Sequence, residues 1–223
     1  MEISYWKSRW KNNKTGWHMT EVYAPLTRYW SRLQLPKQAR VLVPLCGKAH
    51  DLDWLADQGY HVIGAEAAQR PLMEVMERSN ASFVRTESHG FTVYRSESME
   101  LWHGNFLKLP IPPTAPIDAI YDKTSIVALP PAMREQHARK LLSLSQRHTQ
   151  MLLQSFEYVQ EEMNGPPFSV PEQEIATLFG ADFKYTLLHE ESKIEQLERF
   201  RRRGLSSHFL EKVYHLEACR QSD

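Results

Sequence analysis

RVLVPLCGKAHDLDWLADQGYHVIGAE, residues 40–66, is the stretch of this sequence that decides the fold. It opens with an apolar run at 41–43, which is typical of a buried parallel strand. Gly47 then breaks the pattern, since glycine can adopt backbone angles that a side chain would forbid. Leu52 and Leu55 follow at helical spacing, so strand, glycine turn and helix come in the order of a nucleotide-binding unit.

A second apolar strand in this stretch ends in an acid. The run at 62–65 leads directly to Glu66, about 20 residues beyond the turn, where a carboxylate can accept hydrogen bonds from ribose hydroxyls. The turn contains only Gly47, whereas the dinucleotide fingerprint has three glycines. This difference favours a nucleoside ligand without a diphosphate, such as S-adenosylmethionine. An ordinary crossover with a solvated Glu66 fits the spacing equally well.

Composition limits the class of protein. The 223 residues carry 27 Lys and Arg against 27 Asp and Glu, so no overall basic field would gather nucleic acid. There is no apolar run long enough to span a bilayer. The two cysteines are too few for a disulfide framework, and no Cys/His cluster has zinc spacing. We therefore expect a soluble cytoplasmic monomer with a small-molecule substrate, without a nucleic acid, membrane or metal partner.

The remaining chain alternates strands and helices, which predicts an α/β fold. Strands are predicted at 101–106, 117–122, 149–156, 183–189 and 209–217. Helices are predicted at 70–80, 130–147, 171–178 and 190–203. The segment 91–96 alternates weakly, which leaves a short extra hairpin strand open.

The N-terminal residues 1–36 have a composition of their own, with three tryptophans in the first 17 residues. Trp6 and Trp10 are four residues apart and would share one face of a helix. Trp17 follows turn residues and falls on a loop or a second helix start. These indoles either pack the extension onto the core or form a flat wall beside an adenosine or an aromatic substrate.

Polar residues follow two further strands at their carboxyl ends, where open α/β sheets bind ligands. Gly104 and Asn105 form the polar turn that ends the segment 101–106, and Asn105 could hydrogen-bond an adenine there, although Gly-Asn is also a plain turn. Lys123 lies just past the strand at 117–122.

Several motifs resemble those of the thiopurine S-methyltransferase family nearly end to end. They are W-x3-W with K-T-G-W-H, R-V-L-V-P-L-C-G-K-A, V-I-G-A-E, Y-D-K with V-A-L-P-P-x-x-R, G-P-P-F-S-V and L-E-K-V-Y. The resemblance implies a seven-stranded, Rossmann-like class I methyltransferase sheet, mostly parallel with its last strand antiparallel and with helices on both faces. It also implies a single domain over 1–223, with 1–36 as a helical cover.

The resemblance further implies a reaction and its site residues. The family transfers a methyl group from S-adenosylmethionine to the sulfur of aromatic and heterocyclic thiols such as thiopurines, and some bacterial relatives are linked with selenium and tellurium compounds. The positions that match its cofactor contacts are Trp10, Leu45, Glu66 and Lys123, with Trp6, Trp17, Gly104 and Asn105 as further candidates. Arg199 matches a substrate-side arginine and is the catalytic candidate.

This chain departs from the family at two places. Lys123 stands where many members have arginine, and lysine cannot offer the same two-pronged donor to the methionine carboxylate. Residues 67–68 are both alanine, where a small polar residue often follows the acid.

Methyl transfer from a sulfonium is an in-line displacement. An acidic aromatic thiol arrives largely as thiolate, so positioning and water exclusion can supply most of the acceleration without a strong general base. Arg199 would hold the anionic acceptor, and we interpret Cys46 as a structural turn residue. Two other functions stay open at this point, a nicotinamide-dependent oxidoreductase and a non-catalytic nucleoside-binding module.

Overall fold

The computed structural model describes residues 3–110 and 116–219. Part of the proline-rich segment 110–116 lies outside these residues. The strands are β1 (Arg40–Pro44), β2 (His61–Glu66), β3 (Val84–Ser88), β4 (Phe91–Arg95), β5 (Met99–His103), β6 (Ile117–Lys123), β7 (Ser145–Glu157), β8 (Phe183–Ser192) and β9 (Leu210–Ala218). The α-helices are α1 (Ile3–Lys11), α2 (Ala24–Tyr29), α3 (Asp51–Asp57), α4 (Gln69–Arg78), α5 (Ser125–Ala128), α6 (Pro131–Leu144), α7 (Glu172–Phe179) and α8 (Glu198–Arg201).

The described strands form one mixed sheet in the order β3-β4-β5-β2-β1-β6-β7-β9-β8. The predicted α/β class and the antiparallel last strand are confirmed, because β9 runs antiparallel to both β7 and β8. The prediction of seven strands is wrong, since the sheet has nine. The two extra strands are the antiparallel pair β3 and β4, of which the sequence suggested only one.

A tight turn explains the extra pair. His89 and Gly90 connect β3 to β4 with positive φ angles of 50° and 80°. Two central residues with positive φ match the twist of a two-residue hairpin, and glycine adopts that conformation without strain. The hairpin continues the sheet through β4, which pairs antiparallel with β5.

The chain divides into two compact units, the first ending at Tyr121 and the second beginning at Asp122. In the first unit β1 lies parallel to β2, and β2 lies parallel to β5, with Glu66 opposite His103. Parallel strands end at the same edge of a sheet, so the residues that follow β1, β2 and β5 meet there. Helix α3 ends before Gly59, which has a φ of 87° as a helix-terminating glycine should.

The second unit contains α5 to α8 and the antiparallel strands β7, β9 and β8. The helix predicted over 190–203 is wrong for most of its length. Strand β8 continues to Ser192 because it pairs with β9, and only Glu198–Arg201 forms an α-helical turn. A small apolar cluster supports this region and consists of Tyr158, Met163, Phe200, Leu205 and Phe209.

Among the described residues, no helix combines the length and the apolar character that crossing a membrane would require.

Candidate active site

The turn after β1 has an unusual backbone. Leu45 has a φ of 46° and Gly47 a φ of 53°, and a positive φ is uncommon for a residue such as leucine. The turn is fixed to β2, because the backbone N–H of Cys46 donates to the carbonyl of Ala65 over 3.1 Å. Strained backbone of this kind is concentrated at ligand sites. Its position beside Glu66 makes the turn a candidate ligand cradle.

Glu66 is the buried acid of this site, with 5% of its surface exposed. Its Oε1 accepts a hydrogen bond from the backbone N–H of Ala68 over 2.8 Å, and its Oε2 accepts one from Gly47 over 3.1 Å. Burial raises the pKa of Glu66, while these backbone donors and the charge of Lys7 act in the opposite direction. A carboxylate has about four lone-pair positions, so it can accept ribose hydroxyls as well.

Trp10 lies directly over the glycine turn. A Cβ atom placed on Gly47 would come 2.9 Å from Cζ2 of the Trp10 ring, which itself is 5% exposed. The ring of Trp17 meets that of Trp10 edge-on at 5.7 Å and that of Trp6 at 5.2 Å. The three indoles predicted from the sequence therefore form one cluster, which we call the tryptophan cover. Glycine at 47 permits this close approach.

One polar atom in the tryptophan cover has no protein partner. The indole nitrogen of Trp6 is buried and makes no hydrogen bond within the described part of the chain. Buried indole N–H groups usually find an acceptor. The cover therefore offers a donor to a ligand with an oxygen or nitrogen acceptor.

The third side of the site follows β5. The backbone N–H of Gly104 donates to the carbonyl of Glu66 over 2.9 Å, which fixes this turn against the end of β2. Asn105 caps the next turn, and its Oδ1 accepts from the N–H of Leu107 over 3.0 Å. Because Oδ1 accepts this hydrogen bond, Asn105 would contact an adenine through its amide nitrogen. The local turn role, the alternative for Gly-Asn in the sequence, is therefore present as well.

The other two predicted residues belong to the second unit. Lys123 is the last residue of β6 and is half-buried. Arg199 is exposed, and its guanidinium lies 4.7 Å from the centre of the Phe200 ring. Partial burial and the nearby charge of Arg203 lower the pKa of Arg199. The assignment of these two residues to the cofactor carboxylate and to the acceptor stays a prediction.

Residues that the sequence did not single out also reach this region. Lys7 of α1 acts electrostatically on both Glu66 and His103. Burial, together with Lys7, lowers the pKa of His103, which favours a neutral imidazole beside the acid. The helical position of Lys7, between Trp6 and Trp10, was the only signal in the sequence that could have pointed to it.

A second group of potential ligands lies in the second unit. His189, Glu191 and Glu211 place one ligand atom each within 4.8 Å of one another, a spacing that a metal ion could bridge. Nζ of Lys193 is 2.7 Å from Glu191 and already neutralises that carboxylate. The pairing of β8 with β9 brings these residues together across 22 positions of sequence, from 189 to 211, so spacing rules did not reveal them.

Comparisons with known proteins identify related sequences over the length of the chain. The model of the family described as thiopurine S-methyltransferase (TPMT) matches residues 1–219. Thiopurine S-methyltransferase of Pseudomonas fluorescens strain Pf0-1 is 37% identical over 216 residues, which are 97% of this chain and 99% of that protein. Thiopurine S-methyltransferase of Methylococcus capsulatus is 36% identical over 219 residues, 98% of each protein.

A solved structure shares the fold at much lower identity. It is the Burkholderia thailandensis 1,6-didemethyltoxoflavin-N1-methyltransferase with bound 1,6-didemethyltoxoflavin and S-adenosylhomocysteine. The match has a TM-score of 0.65 and 16% identity, and it covers 98% of this chain and 87% of that one. On the strength of the whole-length sequence matches, the chain belongs to the thiopurine S-methyltransferase family.

Proposed function

We propose that this protein transfers a methyl group to the sulfur of an aromatic or heterocyclic thiol, with thiopurines as the leading substrate class. The chain is an S-adenosylmethionine-dependent methyltransferase by its family. The observation that carries the site assignment is the buried Glu66 carboxylate, which accepts a hydrogen bond from the backbone N–H of Gly47, the residue that the Trp10 ring covers. The related proteins are named thiopurine S-methyltransferase, which supports thiopurines as methyl acceptors.

The residues present fit S-adenosylmethionine. Glu66 would accept the ribose hydroxyls, and the strained turn at Leu45 would lie against the methionine part. A turn with a single glycine suits a ligand that has no diphosphate. The tryptophan cover would close over the cofactor, and the buried nitrogen of Trp6 offers it a donor.

Two further contacts complete the proposed binding site. Gly104 and Asn105 would border the adenine, since they follow the neighbouring strand β5. Lys123 would meet the methionine carboxylate. Support comes from the family resemblance, in which position 123 matches a cofactor contact.

The chemistry then needs little from ionisable side chains. When bound, the cofactor supplies a methyl group attached to a positively charged sulfur, which a thiolate can displace in line. The tryptophan cover excludes water from that methyl group, and the rigid turns hold the reacting atoms in position. Arg199 would hold an anionic acceptor by charge, without proton transfer. Because an acidic thiol arrives ionised, no group of this chain has to act as a strong base.

Product analysis across acceptors tests this proposal. The protein is incubated with methyl-labelled S-adenosylmethionine and with thiols, phenols and amines that share one aromatic ring. We expect label on the sulfur of the thiol and none on oxygen or nitrogen. Selenols and oxyanions of selenium and tellurium form a second series, which tests the wider acceptor range.

Two outcomes would contradict the proposal. Transfer to oxygen or nitrogen in preference to sulfur would show that the acceptor class is wrong. Tight cofactor binding without transfer to any acceptor would favour the non-catalytic module. A nicotinamide titration in the same series addresses the oxidoreductase alternative, which the single-glycine turn disfavours.

A further inference from the structure

The end of α1, where Trp10 lies, is held by a residue of another helix. Nη1 of Arg70, on α4, donates to the backbone carbonyls of Trp10 and Lys11, each over 3.4 Å. These two residues are the last of α1, and the final carbonyls of a helix have no partner within the helix. They also carry the negative end of the helix dipole, which a guanidinium stabilises.

Arg70 is itself part of a chain of charges. Its Nε lies 3.1 Å from Oε1 of Glu74, one turn further along α4, and Oε2 of Glu74 lies 2.5 Å from Nζ of Lys48. Lys48 directly follows Gly47 in the turn that Trp10 covers. Three side chains therefore connect the carbonyls of the tryptophan cover with the turn beneath it.

The turn has a second, independent anchor on α4. Arg78 donates to the carbonyls of Lys48 over 2.6 Å and Ala49 over 2.7 Å, and it pairs with Asp53 over 2.6 Å. The turn thus stays attached to α4 when Glu74 or Arg70 is changed. Within the described part of the chain, Arg78 contacts the turn and Asp53 but no residue of the cover. A change at Arg70 therefore acts on the cover.

We propose that Arg70, oriented by Glu74 and Lys48, is a positioning residue that holds the tryptophan cover over the cofactor cradle. Arg70 is not a catalytic residue, because it acts through the backbone of Trp10 and Lys11. The effect on cofactor affinity rests on the function proposed above, whereas the effect on the cover does not.

We call the linked side chains of Arg70, Glu74 and Lys48 the latch. Its ion pairs should respond to salt more than to pH near neutrality. The side chain of Arg70 is 50% exposed and that of Glu74 is 30% exposed, so ions in solution screen their interaction. Hydrogen bonding by Lys48 is the largest influence that lowers the pKa of Glu74, which keeps this carboxylate ionised. High salt should therefore loosen the cover, and moderate acid should not.

Hydrogen exchange on the ligand-free protein is the first test. Arg70→Met keeps the aliphatic stem and removes the charge, and Glu74→Gln removes the group that orients it. A contact of this kind corresponds to about a 2- to 5-fold change, so exchange of amides in 3–18 should accelerate by that factor in both variants. Arg70→Lys should restore part of the protection, since it keeps the charge.

Enzyme kinetics give the second readout. Arg70→Met should raise KM for S-adenosylmethionine by about 2- to 5-fold and leave kcat at saturation unchanged. The KM of the parent should rise with ionic strength, and that of Arg70→Met should respond less. Arg139→Met is the matched control, because Arg139 also pairs with a helical glutamate four residues away, on the exposed face of α6. It should match the parent in every measurement.

The outcomes separate the latch from the proposed function. Parent-like exchange over 3–18 in Arg70→Met would overturn the latch, whatever the enzyme does. Faster exchange with an unchanged KM would overturn the link to cofactor affinity. If the parent binds no S-adenosylmethionine, the proposed function fails, and the exchange experiment still decides whether Arg70 holds the cover.

Discussion

Replacing Glu66 by glutamine is the most informative change at the candidate site. Glutamine has the same shape but only one acceptor oxygen in place of two. In the structure both oxygens accept backbone N–H groups, from Gly47 and from Ala68. One of these donors would therefore face the amide NH2 group in Glu66→Gln, and the negative charge that a ribose would meet is lost.

The expected magnitudes for binding and folding differ. Hydrogen bonds to a charged group contribute about 1.5–3 kcal/mol, so affinity for S-adenosylmethionine should fall about 10- to 150-fold. An unsatisfied N–H costs about 1–3 kcal/mol, but removing a buried charge relieves its desolvation, which here raises the pKa of Glu66. The free energy of unfolding should therefore change less than the free energy of binding.

Calorimetric titration with S-adenosylhomocysteine and urea unfolding measure the two effects side by side. Glu100→Gln is the control, because Glu100 is another carboxylate of the first unit and is half-buried. Its Oε1 lies 3.0 Å from Nε2 of His61, and this pair is not part of the glycine turn. It should retain parental affinity. A folded Glu66→Gln protein that binds as tightly as the parent would refute the ribose assignment.

Three other predictions follow from single residues. Lys123→Arg should hold or tighten cofactor binding and Lys123→Ala should weaken it, as titration would show; parental affinity in both would leave Lys123 without a cofactor role. Gly104→Ala should cost about 1–3 kcal/mol in urea unfolding, because its Cβ would lie 2.4 Å from the buried ring of Phe91, and an unchanged midpoint would contradict that packing. The N–H of Ser206 donates to Glu162 and contributes to lowering its pKa to about 2, so this contact should persist below the usual carboxyl range and be lost as pH falls toward 2. The amide signal of Ser206 should titrate with that midpoint, and a midpoint near the ordinary 4.5 would be the contrary result.

The sequence was sufficient to predict the structure of residues 40–66, because local and long-range preferences agree there. Residues 41–43 and 62–65 are continuous apolar runs, and they became the buried strands β1 and β2. Gly47 and Gly59 both have positive φ, as their places in the pattern require. Glu66 lies at the strand end where the spacing put it. Each of these features is encoded within a few residues of itself.

The predictions that were wrong concern segments whose structure depends on the strand with which they pair. Strand β3 has mostly exposed residues, with Val84 66% exposed, so its pattern is too weak to predict a strand without β4 beside it. The segment 190–203 is rich in charges at helical spacing, yet its start is drawn into β8 by pairing with β9. Local propensity is a weak preference that tertiary contacts override.

The contacts around the tryptophan cover show the same limit. The sequence indicated a shared face for Trp6 and Trp10 but could not show what they lie against. Arg70 is separated from Trp10 by 60 residues, and Lys48 from Glu74 by 26. Such contacts leave no periodic signal in the sequence. The packing of α1 against α4 brings Arg70 to the carbonyl of Trp10.

The central claim is that the cofactor lies at the carboxyl ends of β1, β2 and β5, beneath the tryptophan cover. Amide chemical shifts followed by NMR during titration with S-adenosylhomocysteine test this most directly. We expect the largest shifts at the backbone N–H groups of Gly47, Ala68 and Gly104 and at the indole N–H groups of Trp6 and Trp10. Saturable binding that leaves these five signals in place and shifts others would contradict it.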